Sequence, residues 1–409
     1  MQERSKIYVI GGGPAGVIAA AQAAYQGADV TLIEKNEKLF KKMFITGKGR
    51  CNVTNACDIE DFFLNISKNS NFCYSAVYTF TPDSVMNLIE ENGTPLKTER
   101  GNRVFPVSDK SSDIIKAFEK YLKNSGAKVL LNTKLEDIII ADNKVTGVKY
   151  NGRVYSCNKV ILALGGASYI STGSDGLWKS KLEEMGHKVE DFIPSLIPLT
   201  SSEKWVHSLM GLSLKNVTLK AEYNGRKLYE ELGEMLFTHF GISGPLVLTL
   251  SSKLTKYDFS KLKVTVDLKP GLNYDQLDAR VLRDFKEAGN KTLKNTCVKL
   301  LPSRLISAVL LNAGLKDDQP VNQLKQEERQ RLIKTLKNLE IPVDGLRPIN
   351  EAIITRGGIN VKEIDPSTME SKIIKDLYFA GEMIDIDALT GGFNIQLALS
   401  TGYLAGISC

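Results

Sequence analysis

The stretch Lys6-Ile-Tyr-Val-Ile-Gly-Gly-Gly-Pro-Ala-Gly16, followed by Val30-Thr-Leu-Ile-Glu34, decides the fold of this chain. Its first apolar run is rich in β-branched residues and predicts a buried parallel strand. The Ala-rich run from Val17 to Tyr25 predicts a helix, and the second apolar run predicts another strand. The order strand, glycines, helix and strand is typical of a dinucleotide-binding unit.

The glycines between the first strand and the helix have the G-x-G-x-x-G spacing. Gly11 allows a tight turn, Gly13 lets the backbone approach a pyrophosphate, and Gly16 lets the helix pack on the strand. Phosphates then bind at the helix N-terminus, where free N–H groups and the dipole favour negative charge. Glu34 ends the second strand, where a carboxylate can accept hydrogen bonds from ribose hydroxyls. The alternative is an ordinary glycine-rich turn.

The C-terminal segment indicates which dinucleotide binds. Asp376-Leu-Tyr-Phe-Ala-Gly-Glu382 predicts a short strand that ends in Gly-Glu, and Thr390-Gly-Gly-Phe-Asn394 predicts the start of a helix that reaches Gly406. In two-part FAD folds the acid can contact the ribityl chain, and the last helix can point its N-terminus at the flavin pyrimidine ring. We therefore predict FAD. The alternative is a strand and helix that serve only packing.

Size and composition are those of an intracellular enzyme. A chain of 409 residues predicts two or three domains, and 43% apolar with 24% charged residues is ordinary for a globular protein. No apolar run approaches the ~18 residues that span a bilayer, and no signal peptide is predicted. The six cysteines include no C-x-x-C motif, and the three histidines are dispersed. We therefore predict a cytoplasmic protein with reduced thiols, no membrane segment and no metal.

Basic residues concentrate in two stretches of a chain whose net charge is +6. Residues 35–50 include six basic residues and one acidic residue, and residues 275–347 include 14 basic and 10 acidic residues. One interpretation is a pair of solvated faces that keep the protein soluble. The other is an electrostatic footprint for a polyanion such as RNA.

The sequence changes character after Pro194. Ser213–Tyr229 alternates as in β-strands around the turn Asn224-Gly225, whereas residues from Tyr274 to about Leu339 are helical and charged. Strand signals and glycines return from Ile349. The nucleotide-binding domain is therefore predicted to be interrupted by a long insertion.

Motifs along nearly the whole chain resemble those of the YhiN-like or BaiN-like flavoproteins, NAD(P)/FAD-dependent oxidoreductases. The sequence departs from that family at Lys48, Ile170 and Phe393, where glycine, proline and tyrosine are common. The matching stretches are Gly47-Lys-Gly-Arg-Cys-Asn-Val-Thr-Asn55, Arg103-Val-Phe-Pro-Val-Ser108, Gly165-Gly-Ala-Ser-Tyr-Ile-Ser-Thr-Gly-Ser174, Pro194-Ser-Leu-Ile-Pro198, Gly233-Glu-Met-Leu-Phe-Thr-His-Phe-Gly-Ile-Ser-Gly-Pro245, Thr368-Met-Glu-Ser371 and the Gly-Glu to Gly-Gly-Phe-Asn segment.

The resemblance implies an α/β fold in which a two-part FAD-binding Rossmann-like domain is interrupted by a β-rich insert and a small helical insert. We predict the FAD-binding domain at residues 1–193 and 346–409, the β-rich insert at 194–273 with 340–345, and the helical subdomain at 274–339. The residues predicted to bind the cofactor are Gly11, Gly13, Pro14, Ala15, Gly16, Glu34, Lys35, Gly49, Arg50, Cys51, Asn52, Ala163, Gly165, Gly381, Glu382, Asp385, Gly391, Gly392, Phe393 and Asn394.

Two residues are candidates for the catalytic proton transfer. Cys51 lies in a glycine-containing loop expected beside FAD and could donate a proton to a substrate carbon. The alternative, which we favour, is a small buried residue that only packs against the flavin. His239 lies in a glycine-rich segment that could line the substrate side, or it could be a polar core residue.

The single nucleotide fingerprint implies that NAD(P)H docks transiently at the flavin. Two function classes remain. The first is a reductase of an activated carbon–carbon double bond. For this class the resemblance suggests uridine reduction to dihydrouridine in 23S ribosomal RNA, or reduction of a small steroid-type enone. The two basic stretches favour the RNA. The second class is a flavin-binding redox protein without turnover.

Overall fold

The computed structural model describes residues 4–254 and 257–409. The chain forms two compact units, one from its start to Ser195 together with Ile349–Cys409, and one from Leu196–Pro348. None of the helices within the described residues combines the length and the apolar character needed to cross a bilayer.

The described residues form α-helices that are mostly short. In chain order they are α1 (Pro14–Tyr25), α2 (Lys41–Ile45), α3 (Ile59–Leu64), α4 (Tyr74–Thr79), α5 (Pro82–Glu91), α6 (Ser111–Ser125), α7 (Lys179–Glu184), α8 (Lys204–Ser208), α9 (Pro245–Ser251), α10 (Tyr274–Ala288), α11 (Leu293–Cys297), α12 (Ser303–Asn312), α13 (Gln326–Lys337) and α14 (Phe393–Ser408).

The strands range from two to thirteen residues. They are β1 (Lys6–Ile10), β2 (Asp29–Ile33), β3 (Thr54–Asn55), β4 (Ile66–Lys68), β5 (Leu96–Glu99), β6 (Arg103–Pro106), β7 (Lys128–Leu130), β8 (Leu135–Ala141), β9 (Lys144–Tyr150), β10 (Arg153–Ser156), β11 (Lys159–Leu162), β12 (Val189–Ser195), β13 (Leu199–Thr200), β14 (Ser213–Tyr223), β15 (Arg226–Thr238), β16 (Gly241–Ser243), β17 (Leu262–Asp267), β18 (Leu339–Glu340), β19 (Gly345–Leu346), β20 (Ile354–Ile359), β21 (Leu377–Phe379) and β22 (Asp387–Ala388).

A five-stranded parallel sheet organises the first unit, in the order β21-β11-β1-β2-β7. The central strand β1 pairs through Ile7 with Val30 on one side and with Lys159 on the other. The apolar runs of β1, β11 and β21 are buried because helices cover a parallel sheet. The predicted α/β class is confirmed, and the two predicted nucleotide-fold strands lie side by side.

Helices α1 and α14 are apolar on every side and are therefore buried. A Cβ on Gly402 would lie 2.2 Å from the Ala15 carbonyl oxygen, and a Cβ on Gly406 would lie 2.6 Å from the Ala19 carbonyl oxygen. Since both contacts advance by four residues in the same direction, the two helices run parallel where they pack. Glycines at these two positions thus allow the helix backbones to approach closely. This contact joins the two sequence-distant parts of the first unit.

A seven-stranded antiparallel sheet organises the second unit, in the order β18-β17-β14-β15-β16-β13-β19. Strands β14 and β15 turn at Asn224-Gly225, as the sequence predicts. Helices α10 to α13 share one hydrophobic core with this sheet, since Val264 and Val266 of β17 belong to the same buried cluster as Leu277 and Leu332. The strand-rich and helical parts are therefore packed as one body.

Candidate functional site

Three glycines at the start of α1 serve different structural purposes. Gly11 has φ of +110°, and a Cβ there would lie 2.3 Å from the Ala163 carbonyl oxygen. A Cβ on Gly16 would lie 1.9 Å from the carbonyl oxygen of Gly11. Gly13 has an ordinary φ of −83°, and its Cβ would meet no atom within 4 Å. Packing therefore requires the first and third glycines, whereas the middle one leaves open space.

That open space faces the N-terminus of α1. Gly13 is the N-cap residue, and no side chain caps the helix. The first N–H groups of a helix have no intrahelical acceptor, and together with the dipole they attract an anion. An uncapped helix start behind a space that a Cβ would fill fits the pyrophosphate of a dinucleotide.

Glu34 is buried beside the glycine turn and is held by three N–H donors. Its Oε2 accepts from the backbone N–H of Gly12 at 2.6 Å. Its Oε1 accepts from the backbone N–H and the side-chain Nδ2 of Asn36 at 2.8 and 2.7 Å. Lys35, the next predicted ligand, forms an ion pair with Asp175 at 2.6 Å. The carboxylate is thus fixed at the end of β2, where the sequence predicts the ribose.

The start of α14 is also uncapped, but its glycines are there for another reason. Gly392, the N-cap residue, has φ of +97°, and a Cβ there would lie 2.3 Å from the Thr54 carbonyl oxygen. Phe393 is buried against Phe62, with ring centroids 5.2 Å apart. The Asn394 side chain bonds the backbone of Ala388 at 2.9 and 2.7 Å and so holds the turn before the helix.

The two uncapped helix starts lie at different depths. Ala15 lies beside Gly402 in the parallel contact; α1 begins one residue before Ala15, whereas α14 begins nine residues before Gly402. At 1.5 Å per residue, the N-terminus of α14 therefore extends about 12 Å further along the shared helix direction than that of α1. Two positive helix ends, staggered in this way, fit an extended ligand with a phosphate group at one position and an electron-rich group at the other.

Glu382 connects three parts of the first unit. Its Oε1 accepts from the backbone N–H of Thr355 at 2.8 Å, and its Oε2 pairs with Lys42 Nζ at 2.7 Å. Lys42 also donates to Ser168 Oγ at 2.7 Å. The sequence indicates Lys42 only as a possible RNA contact in the basic stretch 35–50, and it does not predict this ion pair because a partner distant in sequence leaves no local signal.

The remaining predicted ligands near these elements are mostly held by protein groups. Asp385 is buried and pairs with Lys68 Nζ at 2.6 Å. Gly165 has φ of +76°, and a Cβ there would lie 2.6 Å from Ser174 Oγ. Gly381 and Ala163 are buried by neighbouring backbone and side chains. Their roles in cofactor binding stay predictions.

The loop of residues 47–55 has a left-handed backbone at several positions. Gly47, Lys48, Gly49 and Cys51 have φ of +57°, +59°, +82° and +58°. The Arg50 guanidinium pairs with Glu99 and with Asp109, and it lies 4.1 Å from the centre of the Phe105 ring. Asn52 Oδ1 is buried and has no hydrogen-bond partner within residues 4–254 and 257–409. The loop is thus strained and firmly anchored.

Cys51 and His239 lie in opposite environments. Cys51 has no exposed surface, and burial raises the pKa of its thiol to about 12 despite a hydrogen bond to Thr46. These observations support the packing interpretation of Cys51. His239 belongs to the second unit and is exposed, with its ring 4.9 Å from that of Phe240. The alternative of a polar core residue is therefore wrong for His239.

Comparison with known proteins places these features in a family. The family described as "HI0933-like protein Rossmann domain" matches residues 5–408. The Haemophilus influenzae "Ribosomal RNA dihydrouridine synthase" is 30% identical over 100% of this chain and 99% of its own length. The Clostridium scindens "3-dehydro-bile acid delta(4,6)-reductase" is 28% identical over 98% of each chain.

Solved structures share the fold at lower identity. The 3-ketosteroid-delta4-(5alpha)-dehydrogenase of Rhodococcus jostii RHA1 superposes with a TM-score of 0.50 at 15% identity, covering 100% of this chain and 97% of that one. A mutant FrdA chain of the E. coli quinol fumarate reductase gives 0.51 at 15% identity, covering 100% and 70%. At these identities the likeness shows the fold alone.

Proposed function

Because this chain belongs to the HI0933-like Rossmann family of FAD-dependent oxidoreductases, we propose that it is a reductase of an activated carbon–carbon double bond. The observation that carries the proposal is the pair of staggered, uncapped helix starts with open space at Gly13. We propose that α1 binds the FAD pyrophosphate, that Glu34 binds the adenosine ribose, and that α14 faces the flavin pyrimidine.

The protein's own groups would orient the cofactor. Bound FAD supplies a hydride for the electron-poor carbon of the double bond. The uncapped N–H groups of α14 favour negative charge at the flavin end. The ion pair between Lys42 and Glu382, 2.7 Å long, joins the α2 segment to the end of β21.

The other carbon of the double bond needs a proton, and Cys51 is poorly suited to give it. A thiol with a pKa near 12 and no exposed surface is a weak acid that a ligand does not touch. We retain His239 as the candidate donor, since its imidazole is exposed and imidazole is the group that most often transfers protons in enzymes. Replacing His239 by Gln should then lower turnover in a variant that still folds and retains FAD.

We propose uridine in ribosomal RNA as the substrate and NAD(P)H as the transient reductant. The support is the full-length similarity to two proteins named ribosomal RNA dihydrouridine synthase and the exposed lysines that make no ion pair in the described chain. The latter include Lys38, Lys48, Lys286, Lys291 and Lys334. A uridine would have to be presented unstacked, because a base within a helix hides its ring from the flavin.

A small enone is the second candidate, because a relative named as a bile-acid reductase is almost as similar. The two candidates differ in charge. RNA binding should fall steeply with salt, whereas an apolar enone should bind almost independently of salt.

The test starts from the FAD-loaded protein without oxygen. NADPH or NADH should bleach the flavin, and a single-stranded 23S RNA fragment should restore its yellow colour and gain dihydrouridine. The Gly13→Leu variant, which should fold without FAD, is the matched control. Recovery of colour with a 3-keto steroid enone alone would promote the second candidate. Bleaching without recovery by either would favour a redox protein without turnover.

A further inference from the structure

One exposed surface next to the 47–55 loop has two apolar side chains and two lysines. We call it the Phe44 surface, and it comprises Lys38, Phe44, Ile45 and Lys48. Phe44 and Ile45 are 47% and 44% exposed although they follow one another on a five-residue helix, α2. Two adjacent large apolar residues that are both nearly half exposed are typical of a contact surface.

The cations of this surface differ from the other basic residues of stretch 35–50. Lys35, Lys41, Lys42 and Arg50 each have a carboxylate partner. Lys38 and Lys48 make no ion pair with any residue of 4–254 or 257–409, and Lys38 Nζ lies 5.3 Å from the centre of the Phe44 ring. The lysines of the stretch that form no ion pair in the described chain are therefore Lys38, beside the exposed Phe44 ring, and Lys48, four residues further along the chain.

The backbone holds Lys48 in a conformation that glycine would adopt more easily. Its φ of +59° lies in the left-handed region, which is costly for a residue with a side chain. No ion pair in the described chain and no burial compensates for this strain. A strained residue that contributes only an exposed ammonium group is consistent with a function for that charge.

The surface is presented rigidly. The Phe44 carbonyl accepts from Ser111 Oγ at 2.8 Å, and the Phe44 N–H donates to the Phe40 carbonyl at 2.9 Å. Beyond Lys48, Arg50 is anchored to Asp109 at 2.6 Å. Both ends of the segment are thus fixed, so its side chains lose little freedom when a partner binds.

We propose that the Phe44 surface binds single-stranded RNA, with a base stacked on Phe44 and phosphates beside Lys38 and Lys48. This inference rests on the proposed RNA substrate and names the surface that recognises it. Aromatic stacking combined with flanking cations is how proteins bind single-stranded nucleic acid. A polyanion fits because the charge is uncompensated, whereas a neutral enone would make no use of the two ammonium groups.

The test measures anisotropy of a fluorescent single-stranded 23S RNA fragment across a salt series with FAD-loaded protein. Phe44→Ala should weaken binding roughly tenfold through lost stacking. The double variant Lys38→Gln with Lys48→Gln should reduce the log–log salt slope by about 1.4, at about 0.7 per phosphate contact on single strands.

Two controls separate this surface from general charge and from folding. Lys41→Gln removes a neighbouring lysine that is already paired with Glu37 at 3.2 Å, so its salt slope should change much less than that of the double variant. Lys48→Gly should raise the melting temperature by relieving strain, yet still weaken RNA binding.

The outcomes distinguish the surface from the function. If the wild type binds RNA and the Phe44 surface variants bind it equally well, the proposed role of the surface is wrong, whereas the proposal of RNA as substrate still stands. If the wild type fails to bind RNA, or binds anionic phosphatidylserine vesicles instead, both are overturned. Bleaching of the flavin by NADPH in every variant would show that the reductase site itself remains intact.

Discussion

Helices α1 and α14 both begin at an uncapped glycine, but the two glycines are present for different reasons. At Gly13 the backbone is ordinary and the space beyond it is open. At Gly392 the backbone is left-handed and the Thr54 backbone would lie against a Cβ at 2.3 Å. The first glycine makes room for a ligand, whereas the second makes room for the protein.

The difference teaches that two separate constraints can require a glycine at the start of a helix. A side chain at Gly13 would change the stability of the folded chain little, but it would occupy the space proposed for the ligand. A side chain at Gly392 would clash with the Thr54 backbone and destabilise the folded chain. A substitution at Gly392 should therefore lower the stability of the protein, whereas a substitution at Gly13 should leave stability unchanged and lower the affinity for FAD.

The largest effect is expected for Gly392→Ala. A Cβ against the Thr54 backbone and a left-handed φ should together lower the free energy of unfolding by about 3 kcal/mol or more. Gly27→Ala is the matched control, since Gly27 has φ of +93° but open space, and it should cost only about 1 kcal/mol. Denaturant unfolding of the FAD-free proteins measures both. Equal losses would show that the clash contributes nothing.

Gly13→Leu should leave the stability of the FAD-free protein nearly unchanged but abolish FAD retention. The expected loss of affinity is at least about 100-fold, or about 2.8 kcal/mol. The flavin-to-protein absorbance ratio after gel filtration and the melting temperature of the stripped protein provide the readouts. Full flavin content in this variant would contradict the placement of the pyrophosphate.

Glu34→Gln tests the ribose end and should have an intermediate effect. Both carboxylate oxygens accept from N–H groups, so an amide NH2 must face the N–H of Gly12 or of Asn36. We expect FAD affinity to fall by about 1–3 kcal/mol, with the flavin spectrum little altered because the isoalloxazine would be at the opposite end of FAD from the adenosine ribose. Titration of the stripped protein with FAD measures this. A changed spectrum with full affinity would exclude Glu34 as the ribose ligand.

The smallest effect on turnover is expected for substitution of Cys51 in the 47–55 loop. Because burial raises the pKa of the Cys51 thiol to about 12, very little of it is ionised at pH 8. Iodoacetamide should therefore modify the partly exposed Cys57 well before Cys51, as peptide mapping would show. Cys51→Ala should change turnover less than about threefold if the residue only packs. A collapse of turnover in a variant that retains folding and FAD would restore the proton-donor hypothesis.

Much of the first unit could be predicted from local pattern. The apolar runs became β1, β2 and β11, and the turn at Asn224-Gly225 joins two strands of the second unit as expected. These features depend on side-chain period and on backbone angles that a few adjacent residues determine. The assignment of a dinucleotide fold follows from the same local rules.

The charges show where local pattern fails. The stretch 35–50 carries an excess of basic residues, but Lys42 pairs with Glu382 and Lys35 with Asp175, both far away in sequence. A charge reversal of Lys42 would therefore also break its ion pair with Glu382, so Lys38 and Lys48 are the appropriate residues for a test of RNA binding. No count of charges along the chain reveals which of them are already neutralised.

The sequence by itself determined the α/β class and the glycine turn of the nucleotide fold, because these depend on side-chain period and on neighbouring residues. Only the tertiary structure decided that Gly13 faces open space while Gly392 does not. It also decided that Cys51 is fully buried and that Lys38 and Lys48 form no ion pair in the described chain. Burial and ion pairing are properties of groups brought together from distant segments, so they exist only once the chain has packed.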